Sequence, residues 1–559
     1  MTLTKNPSSY ELTKSIVSKV HKTPLNAREE FTSSYDSNKL FPRFHIPNES
    51  SDSHLIFKYV TEELSLDGNP TLNLASFVNT ELSEPARALI NDNLVKNLAD
   101  NDEYPSLIEF QGRCISMISS LWHAPQHYDE QLRREVPATV GTATTGSSEA
   151  IMLAGLALKK SWQERQRQAG KSTENPNILM ATCAQVALEK FARYFDVENR
   201  LIEISAESGH VIDVKKIKEN IDENTIGIFV IMGSTFTGAF EPVLEINNLL
   251  DEVEKETGVD VKIHVDGASG GFTAPFTHPN LKWDFSVDRV VSINTSGHKF
   301  GLTTAGLGWV IWKNIKYLPE NLRFKLDYLG GIEETFNLNF SRAGFPVIHQ
   351  YYNFLTLGRE GYTKLFDNCM NNARVLSLFL EECSYFEVLS VIHKPAIPGS
   401  YKLDKIDDTN FHEQYQPGLP VVAFRFSKDF TKKYPEIPQN ILSLLLRNKG
   451  FIVPNYHLPP GEQSKEILRV VVKSSLSLNL LEKLMQDILS SVELLISSCD
   501  SVRNLIAAKD KGKLDHKVVY DLLLSVASNG VEELKGHQKK FHAAKSGHSP
   551  HKNSYRGAC

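Results

Sequence analysis

The stretch "IGIFVIM", residues 226–232, constrains this chain more than any other. Its apolar residues leave no polar face. A strand built from them must be covered on both sides, as in the middle of a parallel sheet. The surroundings repeat the pattern. Between about 137 and 312, "NILMAT", "LIEIS", "VKIHVDG", "RVVSIN" and "LGWVIW" read as short strands. They alternate with "SSEAIMLAGLALKKSW", "QVALEKFARYF" and "VLEINNLLDEVEKETG", which read as helices, the last stopped by Gly258. This order predicts an α/β domain on a mostly parallel central sheet.

After about residue 345 the texture changes. "YYNFLTLGREGYTKLFDNCMNNARVLSLFLEE" predicts one or two long helices, and "FEVLSV", "PVVAFRFS" and "LRVVVKSS" predict the strands of a smaller C-terminal α+β domain. "LIFKYVTEEL" predicts a helix near the start. The expected division is an N-terminal arm and helix over 1–71, a large domain over 72–345, a small domain over 346–499, and an extension with a basic tail over 500–559.

Bulk properties narrow the class. A net charge of −6 gives no reason to expect nucleic acid or a membrane surface as partner. The six cysteines are far apart and form no CxxC pair, so neither a disulfide framework nor a metal site is expected, and a reducing compartment is. The first thirty residues contain no apolar stretch suited to a signal peptide, and no window approaches ~18 uninterrupted apolar residues. A soluble cytoplasmic protein is the expectation.

Three features of the α/β region carry chemistry. In "GTATTGSSEA", Gly146, Ser147 and Ser148 directly precede a helix, whose free N–H groups and positive dipole end suit a phosphate. The plainer reading is a serine N-cap with Glu149 in the first turn. In "IHVDGASGGF", Asp266 ends an apolar strand among small residues, which leaves room for a flat ligand; equally, it could cap a turn. In "SINTSGHKFGL", Lys299 stands among small residues just past another strand. Together these are the requirements of pyridoxal 5'-phosphate: a phosphate cup, a carboxylate for the pyridine nitrogen and a lysine for the Schiff base.

The motifs go further. "NLASFVNTEL", "DEYP", "TTGSSEAIMLAGLA", "EKFARYFDVE", "DENTIGI", "IHVDGASGGFTAPF", "SGHKFGL" with "GWVIW", "YLGG" and "NFSR" with "YYNFLTLGREGY" resemble the glutamate decarboxylases of the pyridoxal-phosphate-dependent group II decarboxylase family, fungal type. The resemblance runs from about 40 to about 490. It implies the fold type I (PLP-dependent transferase-like) architecture, and a carboxy-lyase converting L-glutamate to 4-aminobutyrate (GABA) and CO2.

By the same resemblance, Lys299 is the Schiff-base lysine, Asp266 the partner of the pyridine nitrogen, and His298 a catalytic neighbour. Ser147, Ser148, Ser296 and His298 lie on the phosphate side. Gln185 covers the ring, Ala268 packs under it, and Thr235 contacts cofactor or substrate. Ser341 reaches the phosphate from a partner subunit, implying a homodimer as the minimal unit, with a hexamer as a larger assembly. Arg469 fixes the α-carboxylate region, though alone it would read as the partner of a structural carboxylate. Ser76, Phe77, Asn97 and Asp100 resemble the distal-carboxylate pocket.

There are departures: Ser76 stands where bacterial relatives carry Thr, "VAL" follows Gln185 in place of an aromatic-rich run, "HAPQHYDEQLRREVPATV" is longer than in compact bacterial forms, and the end of the chain matches neither the bacterial tail nor the Trp-containing basic helix of plant calmodulin-binding tails. Decarboxylases of aspartate, cysteine sulfinate or aromatic amino acids are the nearest rivals in activity, an aminotransferase a further one. A binding protein descended from an enzyme is the rival of another class. The helical and basic end, residues 500–559, could suit calmodulin; a solvated tail is the plainer reading.

Overall fold

In a computed structural model of the chain, the described residues are 43–130, 133–326, 333–396 and 408–508, with isolated positions before them. Most of the N-terminal arm, the "YLGG" motif at 328–331 and the basic tail from 509 onward lie outside the described residues.

The chain divides into two compact units, Met1–Asn69 and Pro70–Cys559. The first contains the helix Ser53–Leu64, capped by Asp52, whose Oδ1 accepts from the backbone N–H of His54 and Leu55 at 3.0 Å each.

The second unit is organised by a seven-stranded sheet. Its strands are β1 (Val140–Thr144), β2 (Asn177–Ala181), β3 (Glu198–Ile202), β4 (Thr225–Ile231), β5 (Ile263–Asp266), β6 (Val290–Thr295) and β7 (Gly308–Trp312), in the order β1-β7-β6-β5-β4-β2-β3. All neighbours run parallel except at β7, which is antiparallel to both β1 and β6. Every residue of β2, β4, β5, β6 and β7 is buried, which is why these segments are largely apolar, with His264, Asp266, Ser292 and Asn294 of β5 and β6 sharing one face.

The strand expected at "LIEIS" sits three residues earlier, where Glu198 pairs with Asn177. It is an edge strand, so polar side chains at Glu198, Asn199 and Arg200 are tolerated and apolar alternation misplaces it.

The helix Ser147–Gln168 packs closely on the helix Val186–Tyr194: a Cβ on Gly155 would sit 2.5 Å from the Phe191 ring. Gly258 ends the helix Val243–Thr257 in the left-handed conformation, φ +75°.

The second sheet is antiparallel, with β8 (Phe386–Val388), β9 (Val421–Phe426), β10 (Asn455–His457) and β11 (Glu466–Val471) in the order β8-β9-β11-β10. The long helix Phe345–Glu382 runs to it, broken at Gly358 (φ 56°, ψ −171°). Leu376, Phe424, Ile441, Leu446, Val470 and Leu484 form part of the core between this sheet and its helices.

One connection decides where the site lies. The segment after Pro70 joins the second sheet: Leu74 donates to Ile452 O at 3.1 Å and accepts from Val471 N at 2.9 Å. A few residues on, Asn79 N donates to His298 O at 2.7 Å. The loop carrying Ser76 and Phe77 is thereby stretched between the two sheets.

Candidate active site

Strands β4, β5 and β6 end at one edge of the large sheet, and the loops leaving them enclose a cavity of about 220 Å³. Ser147, Ser148, Gln185, Thr235, Asp266, Ala268, Ser296, His298 and Lys299 all line it. The sheet order thus brings together residues spread over 153 positions of sequence, from Ser147 to Lys299.

At one end is the anion cup. The N-cap of the helix Ser147–Gln168 is Gly146, and it makes no side-chain cap bond. Ser147 is therefore not the N-cap: its Oγ lies 2.7 Å from Ser296 Oγ, which joins the cup to the lysine loop. Glu149 holds the turn instead, accepting from Thr145 N at 2.8 Å and Thr145 Oγ1 at 2.9 Å. His298 is kept neutral: burial, then the neighbouring Lys299 charge, push it down to about 4. Its Nδ1 accepts from Leu307 N at 3.3 Å, so the remaining proton sits on Nε2.

In the middle, Asp266 is 4 % exposed, and its Oδ1 accepts from Asn294 Nδ2 at 2.9 Å and Ala268 N at 3.1 Å. The turn-capping bond foreseen as an alternative is present, but it uses only one oxygen. Lys299 is 6 % exposed and makes no ion pair among the described residues. Its Nζ lies 5.5 Å from the centre of the Phe77 ring. Gln185 Oε1 caps the helix Val186–Tyr194 by accepting from Ala187 N at 2.6 Å, which anchors the cavity wall.

Ser76, Phe77 and Arg469 do not line the cavity; Arg469, on β11, stands across Phe77 from Lys299. Its guanidinium carbon stands 4.8 Å from the Phe77 ring centre, and Nη1 donates to Thr235 O at 2.6 Å. Nη2 donates to Ala75 O, while the buried Nε–H has no partner among the described residues. No carboxylate pairs with it among the described residues, so the structural ion pair is not what holds it. Ser76 Oγ accepts from Val78 N at 3.1 Å beside Phe77.

The structure does not bring every expected residue to this cavity. Asn97 Nδ2 donates to Ser341 Oγ at 3.3 Å, and Asn97 Oδ1 accepts from Arg342 N at 3.0 Å. Asp100 lies in the same turn, with Oδ1 accepting from Glu103 N at 3.0 Å. Asn97 and Ser341 thus bond to each other within the same chain, with Asp100 in the adjoining turn and Ser341 exposed.

Sequence reading also missed residues around the site. Cys183 lines the cavity, and the fully buried Glu241 lies 3.9 Å from its sulfur. Burial pushes Glu241 up to about 7, although it accepts from Ile231 N at 2.7 Å and Ile212 N at 3.0 Å. His264 and Asn294, behind Asp266, were missed as well; the signal was a polar residue at every second position of an otherwise apolar strand.

These donors fit pyridoxal phosphate. Hydroxyls and a helix N-terminus suit the phosphate, a carboxylate with one oxygen left over suits the ring nitrogen, and a buried amine without an ion-pair partner suits the aldehyde.

The comparisons agree. Residues 58–402 match the pyridoxal-dependent decarboxylase conserved domain. A glutamate decarboxylase of Saccharomyces cerevisiae is 46 % identical over 93 % of this chain and 90 % of its own length. One of Petunia hybrida is 43 % identical over 84 % of this chain and 86 % of its own. The solved structure of a Lactobacillus brevis glutamate decarboxylase superimposes with a TM-score of 0.72 at 33 % identity, covering 81 % of this chain and 95 % of that one. On sequence, fold and cavity together, the chain belongs to the pyridoxal-dependent decarboxylase family, among its glutamate decarboxylases.

Proposed function

We propose that the protein removes the α-carboxylate of L-glutamate as CO2 and leaves 4-aminobutyrate, using pyridoxal phosphate held in the cavity around Lys299. The observation that carries this reading is the single cavity lined by Lys299, Asp266 and Ser147, with Arg469 beyond Phe77.

When bound, pyridoxal phosphate supplies a ring that takes up the electron pair of the breaking Cα–carboxylate bond. The chain's own residues do the rest. The hydroxyls of Ser147, Ser148 and Ser296, with the helix N-terminus and neutral His298, hold the phosphate. Gln185, Ala268 and Thr235 confine the ring. Asp266 holds a proton on the ring nitrogen. Arg469, across Phe77 from Lys299, orients the substrate's α-carboxylate region and so sets which bond at Cα stands across the ring face. Phe77 covers both cations and excludes water, which strengthens their electrostatics. Lys299 Nζ is the amine that bonds the cofactor and returns a proton to Cα.

The distal carboxylate reads as held by Ser76 and Phe77 together with Asn97 and Asp100. Asn97, Asp100 and Ser341 cluster apart from the cavity lining, so they serve a site only if a second copy delivers them. This supports a homodimer with shared sites, on which a hexamer could be built. Calmodulin at the tail remains the partner to test by pull-down of residues 500–559 with and without calcium. The five described cysteines are all unpaired, which suits a cytoplasmic, reducing location.

The test is direct. Purified protein with pyridoxal phosphate should release CO2 and 4-aminobutyrate from L-glutamate, and not from aspartate, cysteine sulfinate or aromatic amino acids. Lys299→Ala should lower turnover by about 10³-fold or more. Release of CO2 from another of these substrates in preference to glutamate would refute the substrate; full turnover by Lys299→Ala would refute the site.

A further inference from the structure

Behind Asp266 lies a chain of polar side chains that the reaction as described does not use. Strands β5 and β6 are parallel neighbours, with His264 opposite Ser292 and Asp266 opposite Asn294. Because strand side chains alternate, these four share one face, while Val265 and Ile293 turn to the apolar core. All four are buried: His264 and Asn294 at 0 %, Ser292 at 1 % and Asp266 at 4 % exposure.

They form one continuous ladder. Ser292 Oγ lies 2.8 Å from His264 Nδ1, His264 Nε2 lies 2.7 Å from Asn294 Oδ1, and Asn294 Nδ2 donates to Asp266 Oδ1 at 2.9 Å. The directions of the bonds are determined by elimination. An ionised Asp266 only accepts, so Asn294 must turn its amide NH2 toward it. Asn294 Oδ1 then faces His264 and can only accept, so the His264 proton is on Nε2. Nδ1 is left to accept from the Ser292 hydroxyl. Burial pushes His264 down to about 4, so the ring is neutral and carries a single proton, as this assignment requires. Reversing the ladder would require the hydroxyl, the imidazole tautomer and the amide to invert together, and that reversed ladder matches only a protonated Asp266. Oδ1 is further occupied by Ala268 N, so Oδ2 is the oxygen left for the cavity.

We propose that Ser292, His264 and Asn294 act as positioning residues: their hydrogen-bond ladder holds the Asp266 carboxylate in one rotamer, with Oδ2 aimed at the ring nitrogen of the cofactor. The inference rests on the cavity being the pyridoxal phosphate site. It predicts that the ladder controls how firmly the ring nitrogen keeps its proton, rather than how glutamate is held.

The experiment compares four variants with the wild type. His264→Phe keeps an aromatic ring against Phe229, 5.4 Å away, but removes both nitrogens. His264→Gln keeps a donor and an acceptor. Asn294→Leu removes the donor to Asp266, and Ser292→Ala removes only the far hydroxyl. Three quantities are read: the dissociation constant of pyridoxal phosphate from the apoprotein, the pH midpoint of the bound cofactor's absorbance change, and kcat against KM for glutamate. His264→Phe and Asn294→Leu should weaken cofactor binding about 10-fold and lower kcat about 10- to 100-fold, with KM within about twofold. The absorbance midpoint should move by about one pH unit. Ser292→Ala should fall between them and the wild type, and His264→Gln should restore most of what His264→Phe loses.

Unchanged midpoint, affinity and kcat in His264→Phe, beside a wild type that binds the cofactor, would overturn the ladder alone. If the two larger substitutions do not fold, a wild-type midpoint and affinity in Ser292→Ala overturn it equally. A wild type that binds no pyridoxal phosphate overturns the parent reading instead.

Discussion

The proposed phosphate cup depends on a backbone contact that one methyl group would break. Gly308, the first residue of β7, lies directly behind Gly146, the residue that opens the helix Ser147–Gln168. A Cβ on Gly308 would sit 2.4 Å from the carbonyl carbon of Gly146, 2.8 Å from its oxygen and 2.7 Å from Thr144 Oγ1. Carbon atoms rest about 3.5–4.0 Å apart, so Gly308→Ala requires a displacement of roughly 1 Å. The nearest obstructing atom, the Gly146 carbonyl carbon, and its oxygen are main chain, and no rotamer change can relieve them. β7 is pinned on both sides, by β1 and β6, so the cup is the part that moves.

Overpacking of this kind costs about 1–3 kcal/mol of stability. A larger effect falls on the ligand. Moving hydrogen-bond donors by about 1 Å forfeits most of one charge-assisted bond, worth about 1.5–3 kcal/mol, or a 10- to 100-fold weaker cofactor complex. The assay is titration of apoprotein with pyridoxal phosphate, followed by absorbance, beside a thermal melt of the apoprotein. A dissociation constant within about threefold of wild type, with the melt unchanged, would refute the claim that this contact builds the cup.

Gly112→Ala is the matched control. Gly112 lies inside the helix Pro105–Leu121 with nothing within 4 Å of its Cβ position, so alanine should add about 0.5–1 kcal/mol through helix propensity and leave cofactor affinity alone. Lys473 is 6 % exposed and its Nζ donates only to Val78 O, at 3.3 Å, among the described residues. Burial pushes it down to about 8, whereas the unfolded chain keeps the proton to about 10.4. Between those values the unfolded state binds more protons, so the cost of the buried charge is full below pH 8 and is relieved as pH rises. Lys473→Met should therefore raise the denaturation midpoint at pH 7, by about 1–3 kcal/mol, with the gain fading toward pH 10; a constant difference across pH would refute the cause. Arg289 is held by Asp251 at 2.7 Å, Asp260 at 2.9 Å and Glu254; these carboxylates are partly exposed and Asp260 keeps Lys262 at 2.7 Å, so Arg289→Met should cost about 1–2 kcal/mol in chemical denaturation.

What the sequence reveals follows from what each element must bury. Strands covered on both faces announce themselves, as at residues 226–232 and 308–312, because nothing polar can be placed there. The edge strand at Glu198–Ile202 does not, since one open side relaxes the pattern. The cup, Asp266 and Lys299 were legible because each sits where a strand ends and carries a residue type that packing alone would not select. His264 and Asn294 were not, although they touch or stand behind Asp266. A polar residue inside a buried strand can be matched only by its neighbour in the next strand, and the register that pairs 264 with 292 and 266 with 294 is a fact of folding, not of local sequence. The antiparallel β7 was hidden for the same reason: strand direction leaves no mark on a run such as "GWVIW".

Arg469 shows how the two sheets divide the labour. Everything placed on the cofactor side comes from the large sheet and its loops, which are rigid on their own account. Arg469 comes from β11 of the second sheet, and its two forked donors are spent on carbonyls of Ala75 and Thr235. One of those carbonyls belongs to the loop after β4 and the other to the segment stretched between the sheets. The guanidinium is thus a clamp that ties β11 to the loop after β4 and to the segment before Ser76, with one N–H of Nη1 and one of Nη2 not engaged by these two bonds. Arg469→Lys keeps the charge but cannot span both carbonyls. It should raise KM for glutamate and, in the apoprotein, lower the thermal midpoint by stranding a buried carbonyl, at about 1–3 kcal/mol. An arginine that served substrate alone would move the first quantity and leave the second where it was, so a melt identical to wild type would refute the clamp.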